Sequence, residues 1–309
     1  RNFKSIRFIR MFMTDFEKEK HLRFATLELV RGEWRSFSKA MNMPGTAPVS
    51  TGKLDVQAVN IEENSDKTPV NYILPPGVTR ETDPGQIAMI KLNEQAMVMK
   101  VNNLAPNDAR AVYKNTAYDM RQYKRLQMFV HAEKMADDVN TLNDYDLSCF
   151  VRLGTDMVNN YYEYEIPLRL TPAGRYQDTD TDREIVWPQE NMFDFPFQVL
   201  TEAKLARNRA KQDGSYVSDM VPFYHNGKNK IRVVGNPTLS DVQNIMIGIR
   251  NNSTRGEIKS GEIWVNELRM TEFDESGGSA AMANLSVGLS DLGSVNLSGR
   301  LEKIGRAHV

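Results

Sequence analysis

The chain reads as a mainly β protein: tandem jelly-roll-like β-sandwiches, the first one truncated, with one helix, followed by a β-hairpin. Three observations carry this. Apolar, β-branched and aromatic runs recur between turn residues at the roughly 8–12-residue spacing of sandwich folds. A single segment, Phe197–Gln212, is rich in Leu, Ala, Lys and Arg, opens after Pro196 and stops at Asp213-Gly214, as a helix does. The last stretch alternates strictly. Ala283, Leu285, Val287, Leu289, Val295, Leu297, Gly299 and Leu301 interleave with Asn284, Ser286, Gly288, Ser290, Asn296, Ser298 and Arg300. Successive strand residues point to opposite faces, so this is a hairpin with one oily and one wet side.

In chain order, Phe3–Met13 and Leu22–Val30 read as paired strands, and Met41–Gly52 as a loop. Pro69, Pro75-Pro76-Gly77 and Asp83-Pro84-Gly85 make 60–85 a linker with too many breakers for regular structure. Strands follow at Met89–Val101, Ala109–Asp119, Arg125–Glu133, Asp146–Leu153, Tyr161–Leu170, Lys230–Gly235, Asn244–Asn251 and Gly261–Met270. A shift of 239 positions superposes Ile6 on Ile245, Phe24 on Ile263 and Glu28-Leu29 on Glu267-Leu268, which supports tandem sandwiches. The expected organisation is therefore 1–59, the C-terminal part of a first sandwich; 60–85, the linker; 86–275, a second sandwich; and 276–303, the hairpin. Residues 304–309 read as a translated sequencing-adapter oligonucleotide, a non-native tail. The chain starts at Arg1 inside a strand-like run and is expected to be an internal piece of something longer.

With 39 basic and 40 acidic residues and a net charge of −1, no long-range field recruits nucleic acid or an anionic surface. The lone Cys149 forms no intrachain disulfide and sits in an apolar run, as a buried inert thiol does. No apolar run approaches the roughly 18 residues of a membrane helix.

The search for chemistry is thin. No phosphate loop, no Gly-x-Ser-x-Gly elbow and no His-Glu-x-x-His is present, and His21, His131 and His225 are scattered. Neither a catalytic set nor a cofactor site is expected. Asp178, Asp180 and Asp182 are the best metal candidates, alternate carboxylates on a loop suited to calcium, but Arg183 and Gln189 stand where an EF-hand needs glycine and glutamate. Tyr162 and Tyr164, on one strand face opposite Tyr161 and Glu163, suit a sugar-stacking platform or plain packing. Trp264 is expected in the sandwich core, with Ile263, Val265 and Glu267 on one face and Trp264, Asn266 and Leu268 on the other. Each arm of the closing hairpin has the length of a tilted membrane β-strand, roughly 10 residues. The same pattern fits a half-buried hairpin on a soluble sheet. A secreted glycan-binding jelly roll built on Tyr162, Tyr164 and the acidic loop is the second reading.

Long motifs then narrow the choice: Asn71-Tyr-Ile-Leu-Pro-Pro-Gly-Val-Thr-Arg-Glu81, Asp108-Ala-Arg-Ala-Val-Tyr-Lys114, Asp119-Met-Arg-Gln-Tyr-Lys-Arg-Leu-Gln-Met-Phe-Val-His-Ala-Glu133, Asn160-Tyr-Tyr-Glu-Tyr-Glu-Ile-Pro-Leu168 and Ile263-Trp-Val-Asn-Glu-Leu-Arg269. Together they resemble the SprA/Sov family, the outer-membrane translocon subunit of the type 9 secretion system of Bacteroidetes. The resemblance runs from Phe3 to Arg300. It implies a large outer-membrane β-barrel that passes folded cargo with C-terminal sorting domains, and it implies partners: a PorV-type shuttle barrel, a plug protein and, in gliding species, surface adhesins. It brings no catalytic residues. It implies that Leu285, Val287, Leu289, Val295, Leu297 and Leu301 face lipid. The short turn at Asp291-Leu292-Gly293 is then periplasmic, and the sandwich is expected on the external side.

Overall fold

The computed structural model describes residues 34–37, 41, 52–82, 91–136, 142–216, 224–252, 256–273, 279–289 and 293–303. The two strands expected before residue 31, the first copy of the 239-residue repeat, most of the 41–52 loop, Asp83-Pro84-Gly85, Asp291-Leu292 and the 304–309 tail lie outside them.

Among the described residues the fold is mainly β and antiparallel. One sheet holds seven strands in the order β1 (Arg35–Ser36), β4 (Ala109–Tyr118), β11 (Val242–Asn251), β6 (Leu147–Gly154), β7 (Tyr161–Pro167), β10 (Asn229–Val234) and β9 (Tyr224–Asn226). The other holds β2 (Lys53–Asn60), β3 (Gln95–Leu104), β12 (Lys259–Phe273), β5 (Tyr123–Glu133) and β8 (Phe193–Pro196). β13 (Ser279–Leu289) and β14 (Gly293–Lys303) pair only with each other. The expected strands from Ala109 to Met270 are all present within a few residues. β8 was hidden because its Phe193-x-Phe195 repeat is too short to read as a strand.

The two larger sheets enclose one apolar layer. Val151 and Leu153, Tyr162 and Tyr164, Ile231 and Val233, Ile245, Ile247 and Ile249 meet Met99 and Val101, Leu126, Met128 and Val130, Ile263 and Val265, and Phe193 and Phe195. These are alternate positions on each strand, the inward half of a period of two. Cys149 is buried in this layer, and burial, reinforced by Glu165, pushes its thiol up. Helix α2 (Gln198–Gln212) buries Leu200, Ala203 and Arg207, one stripe of its surface, and ends before Gly214 at φ 77. Arg207 reaches the carbonyl of Gly235 at 2.6 Å, tying the helix to the end of β10.

Several expectations change. The boundary drawn at residue 59 does not hold. β1 pairs with β4 (Arg35↔Tyr113), β2 pairs with β3 along its whole length, and one compact unit starts at Trp34. Leu54 and Val56 pack on the inter-sheet core while Lys53, Asp55 and Gln57 stay exposed, which makes β2 a half-buried edge strand of the second sandwich. The segment after it is not a linker but a strap. Val70, Tyr72 and Ile73 join Val59, Ala96, Val98, Phe129, Val186, Trp187 and Trp264 in a second core on the outer face of the five-stranded sheet. Trp264 therefore belongs to this outer core, not to the layer between the sheets. Finally, a second helix, α1 (Asp180–Val186), precedes Trp187.

The alternation along β12 also breaks. Its register against β5 shifts between Asn266 and Arg269, and Glu267 takes φ 53, a bulge. Leu268 and Met270 then pack with Ile263 and Val265 on the inner core, where strict alternation would have turned Leu268 outward.

On the outer face of the seven-stranded sheet, Phe150 lies across Gly248, its partner in register. A Cβ at Gly248 would sit 2.2 Å from Phe150 Cζ and 2.8 Å from Ala111 Cβ. Gly248→Ala should therefore lower stability by about 1–3 kcal/mol, read as a drop in Tm. In a Phe150→Leu background the added cost should be smaller; an identical loss in both backgrounds would remove the ring from the explanation.

Candidate functional site

Two clusters of charge lie beneath cover, one on each outer face. On the seven-stranded sheet, register aligns Arg152 with Glu163 and Glu163 with Arg232 across β6, β7 and β10. Arg152 donates from Nε at 2.9 Å and Nη2 at 2.5 Å to Glu163 Oε2, and from Nη1 to the carbonyl of Met157 at 2.5 Å. Arg232 pairs with Glu163, and Arg250 with both Glu163, at 3.1 Å, and Glu165. Ser148 and Asn252 donate to Glu165 at 2.8 and 2.9 Å. All five charged residues are at least nine-tenths buried. Burial first, and then the neighbouring Arg250, push the Arg232 guanidinium down to about 8. Arg152 also stacks over Tyr161, 3.8 Å from the ring centre. Phe37 and Met41 pack with Phe150, Met157 and Met246 beside this network.

The second cluster sits under the strap. Lys67 crosses to Glu133 and Glu262, 3.0 Å from the latter, with its ammonium 5.0 Å from the Trp264 ring centre. Lys100 meets Glu262 at 3.1 Å, and Trp264 Nε1 donates to Glu262 at 2.7 Å. His131 stacks on Trp264 with centroids 3.9 Å apart. The strap is further tied by Trp187 Nε1 donating to Ile73 O at 2.9 Å and by Tyr72 Oη bonding Glu94. Burial, then Glu94, raise the Tyr72 phenol far above its usual range. Asn71 and Tyr176 exchange two hydrogen bonds, at 2.9 and 2.7 Å. At the edge of this face opens a cleft of about 480 Å³, lined in part by Pro69, Glu133, Asp144 and Leu170.

The family described as SprA_N, motility related/secretion protein, matches residues 1–308. The chain belongs to this family. Its role is thereby motility- or secretion-related. No curated protein matches the chain. Among solved structures, it is similar to the Family 11 carbohydrate-binding module from Clostridium thermocellum in complex with a beta-1,3-1,4-mixed-linked tetrasaccharide. That match has 10% identity and a TM-score of 0.34, and it spans 76% of this chain and 86% of the module.

The residues singled out from the sequence fall differently in this SprA_N chain. Asp178, Asp180 and Asp182 are not a loop of free ligands. Thr179 caps α1, Asp180 and Asp182 stand in its first turn where the helix dipole favours anions, and Asp178 binds Arg183 at 2.6 Å. Asp182 also accepts from the amide of Gln177 at 2.6 Å. Among the described residues no three His, Cys, Asp or Glu gather to hold a metal ion. Tyr162 and Tyr164 cannot form a stacking platform, because both are buried between the sheets. Tyr164 stacks on Phe195 with centroids 3.9 Å apart, and Tyr162 donates to Pro237 O at 3.1 Å. Burial pushes the Tyr162 phenol up to about 12. His131 is a core residue, and His225 stands exposed on β9. The two charge clusters were missed. Their signal was present as charges at alternate strand positions, Glu163 and Glu165 above all, but such a pattern reads as a solvated face unless something covers it. Of Leu285, Val287, Leu289, Val295, Leu297 and Leu301 only backbone and register are described: Leu285 opposes Leu297, Val287 opposes Val295, and Ala281 opposes Leu301. Among the described residues no helix is long and apolar enough to cross a membrane.

Burial raises the pKa of Glu262, but the bonds from Trp264, Lys67 and Lys100 outweigh it and hold the carboxyl below its usual value of 4.5. A depressed folded-state pKa means that the stabilisation is present above pH ~4.5 and is lost as pH falls through the folded value. Glu262→Gln should cost about 2–3 kcal/mol at pH 7. The Tm gap to the parent should narrow as the pH is brought toward 3; a gap independent of pH would show that packing, not charge, sets it.

Proposed function

We propose that this chain is a structural segment of the protein-translocating outer-membrane channel of the type 9 secretion system, acting in protein export and gliding motility. The sandwich forms a rigid cap or wall region, the hairpin contributes two strands of the barrel, and the chain performs no catalysis. The observation that carries this is the β13–β14 ribbon. It is paired in unbroken register over eleven residues, Ser279↔Lys303 to Leu289↔Gly293. Residues directly opposite in an antiparallel pair share a face. One face therefore collects Ala281, Ala283, Leu285, Val287, Leu289, Val295, Leu297 and Leu301, and the other Asn284, Ser286, Asn296, Ser298 and Arg300. Eleven residues match the roughly 9–11 of a tilted membrane strand. Membership of a secretion family supports the same reading, as does the connection between the strands, which needs only residues 290–292.

In this reading Leu285, Val287, Leu289, Val295, Leu297 and Leu301 face lipid, and the polar face lines the lumen, where the neutral Asn284, Ser286, Asn296 and Ser298 let folded cargo slide past. Cargo carrying C-terminal sorting domains, a PorV-type shuttle barrel and a plug protein are the partners. The short connection is periplasmic and the sandwich external. Buried ion networks on both outer faces suit a body that holds its shape while cargo moves beside it.

Two experiments in the full-length secretion protein test this. Val287→Arg should destabilise the membrane-inserted state by about 2–4 kcal/mol if it lies near mid-bilayer, measured by urea unfolding in vesicles, while Ser286→Arg should be tolerated; equal tolerance at both positions contradicts the lipid face. Orientation is read at an exposed residue, since Tyr161–Ile166 are buried. Lys211, at the exposed end of α2, serves. Lys211→Cys should react with an impermeant maleimide on intact cells; reaction only after permeabilisation would place the sandwich inside.

A further inference from the structure

The closing ribbon has no aromatic residue of its own. From residue 274 to residue 303 the sequence holds no Phe, Tyr or Trp. Membrane barrels carry aromatic rings at the headgroup level, where an apolar body with a polar tip is well solvated. The ribbon's charges mark where such a level lies. Arg300, Glu302 and Lys303 stand opposite Met282, Ala280 and Ser279, at the end where the chain arrives from the sandwich. The last ring before that end is Phe273, the final residue of β12.

The sandwich collects exposed apolar side chains at this same end. Tyr118 closes β4, Val158 lies in the connection from β6 to β7, Leu205 stands on the outer side of α2 and Phe273 closes β12; all four are exposed. Register shows that they share one end. Val242, the first residue of β11, opposes Tyr118, and Asn244 opposes Gly154, from which the Val158 connection departs. Val234 opposes Tyr161, where that connection returns, and Arg207 ties α2 to Gly235 just beyond. The one-turn helix Met120–Gln122 leads from Tyr118 to Tyr123. Tyr123 opposes Phe273 with the rings edge to face, centroids 5.2 Å apart. Exposed Tyr145 and Ile258 precede β6 and β12, at the other end. Single exposed apolar residues are ordinary. Four from separate elements, at the end from which the chain leaves for the ribbon, form a surface.

We propose that this end of the sandwich is a foot that rests on the lipid headgroup layer beside the hairpin, with Tyr118, Val158, Leu205 and Phe273 as its lipid contacts. The inference rests on the reading of β13 and β14 as membrane strands and adds a contact which that reading lacks. Ser279 follows Phe273 by six residues, so even a fully extended chain keeps Phe273 within about 20 Å of the ribbon's charged end. Asp274 and Glu275 come directly after Phe273, and carboxylates are excluded from hydrocarbon. The foot therefore sits at headgroup level, not deeper. Charges at this end are of both signs, Arg121 and Lys124 against Asp119 and Glu202, so no field of one sign makes the contact. Apolar side chains make it, in the part that barrel strands ordinarily give to their own aromatic rings.

The test replaces single residues of the full-length secretion protein by the photocrosslinker p-benzoylphenylalanine. The protein is reconstituted in vesicles of phosphatidylethanolamine and phosphatidylglycerol, irradiated and digested, and the peptides are weighed. With the probe at Phe273 or Leu205 the peptide should gain the mass of one phospholipid; with the probe at Tyr145, exposed at the far end, it should not. A probe at Val287 reads the hairpin itself. Lipid captured at Val287 but at neither Phe273 nor Leu205 overturns the foot and leaves the hairpin reading standing. No lipid at Val287 removes both. Capture of protein segments instead of lipid at Phe273 and Leu205, or equal lipid capture at Tyr145, also overturns the proposal. Should the probe at Phe273 block assembly, Leu205, on the outer side of a helix, decides in its place.

Discussion

A sheet whose two faces are both buried cannot leave charge uncompensated, and this constraint governs the sandwich. Every residue of β6, and every residue of β7 but its last, is buried. Their inward half is apolar and needs no further account. Their outward half carries Arg152, Glu163 and Glu165, which would each cost several kcal/mol if buried alone. They are tolerated because Arg232 and Arg250 arrive from β10 and β11 at matching register, and register in an antiparallel sheet is fixed by the inward apolar set. Hydrophobic burial between the sheets thus fixes where the ions on the far face meet. A slip by one residue would expose Ile231 and Val233 and separate Glu163 from Arg232 together. The pairs add specificity to a register that the core already prefers.

The strap applies the same logic to the other sheet. A segment holding Pro69, Pro75 and Pro76 cannot form a strand ladder across β2 or β12, yet its apolar residues have to be buried. Tyr72 and Ile73 insert among Trp187 and Trp264, and the strap's polar groups are bonded one by one through Asn71, Lys67 and Tyr72. Trp264 is fully buried, but against chain that runs over the sheet, so the sandwich has three layers on this side.

What was legible in the sequence follows from how local each signal is. Strands with strong alternation, such as Tyr161–Pro167 and Val242–Asn251, and the helix bounded by Pro196 and Gly214, declare themselves within a dozen residues. The strap does not, because its prolines read as a linker and only tertiary packing gives it a place. The bulge at Glu267 does not either, since one residue in a left-handed conformation resets the face of everything after it, and periodicity assumes an unbroken pleat. The charge clusters were visible as residues but not as sites. Alternating Glu and Arg look the same on a wet face and on a covered one, and cover depends on segments distant in the chain. Asp178–Asp182 shows the opposite limit: three acids stood out only as weak metal candidates, while Thr179 in N-cap position already explained two of them as helix-start residues.

The hairpin poses a different physical problem from the sandwich. A two-stranded ribbon has two open edges, and each strand leaves half of its backbone donors and acceptors without a ladder partner. Along the sandwich strands charges are interleaved and alternate with apolar residues, whereas β13 carries no charged residue over its eleven positions. Up to Gly299 the ribbon is uncharged, and β13 carries no lysine, proline or bulge, the usual devices against edge-to-edge pairing; the charges of β14 gather in its last four residues at Arg300, Glu302 and Lys303. Its composition favours further pairing on both sides, and a closed cylinder is the arrangement in which unguarded edges carry no penalty. The two parts of the chain thus solve the backbone hydrogen-bond problem in different ways: the sandwich guards edge strand β2 with Lys53 and Asp55, and the hairpin relies on neighbours that the proposed barrel would provide.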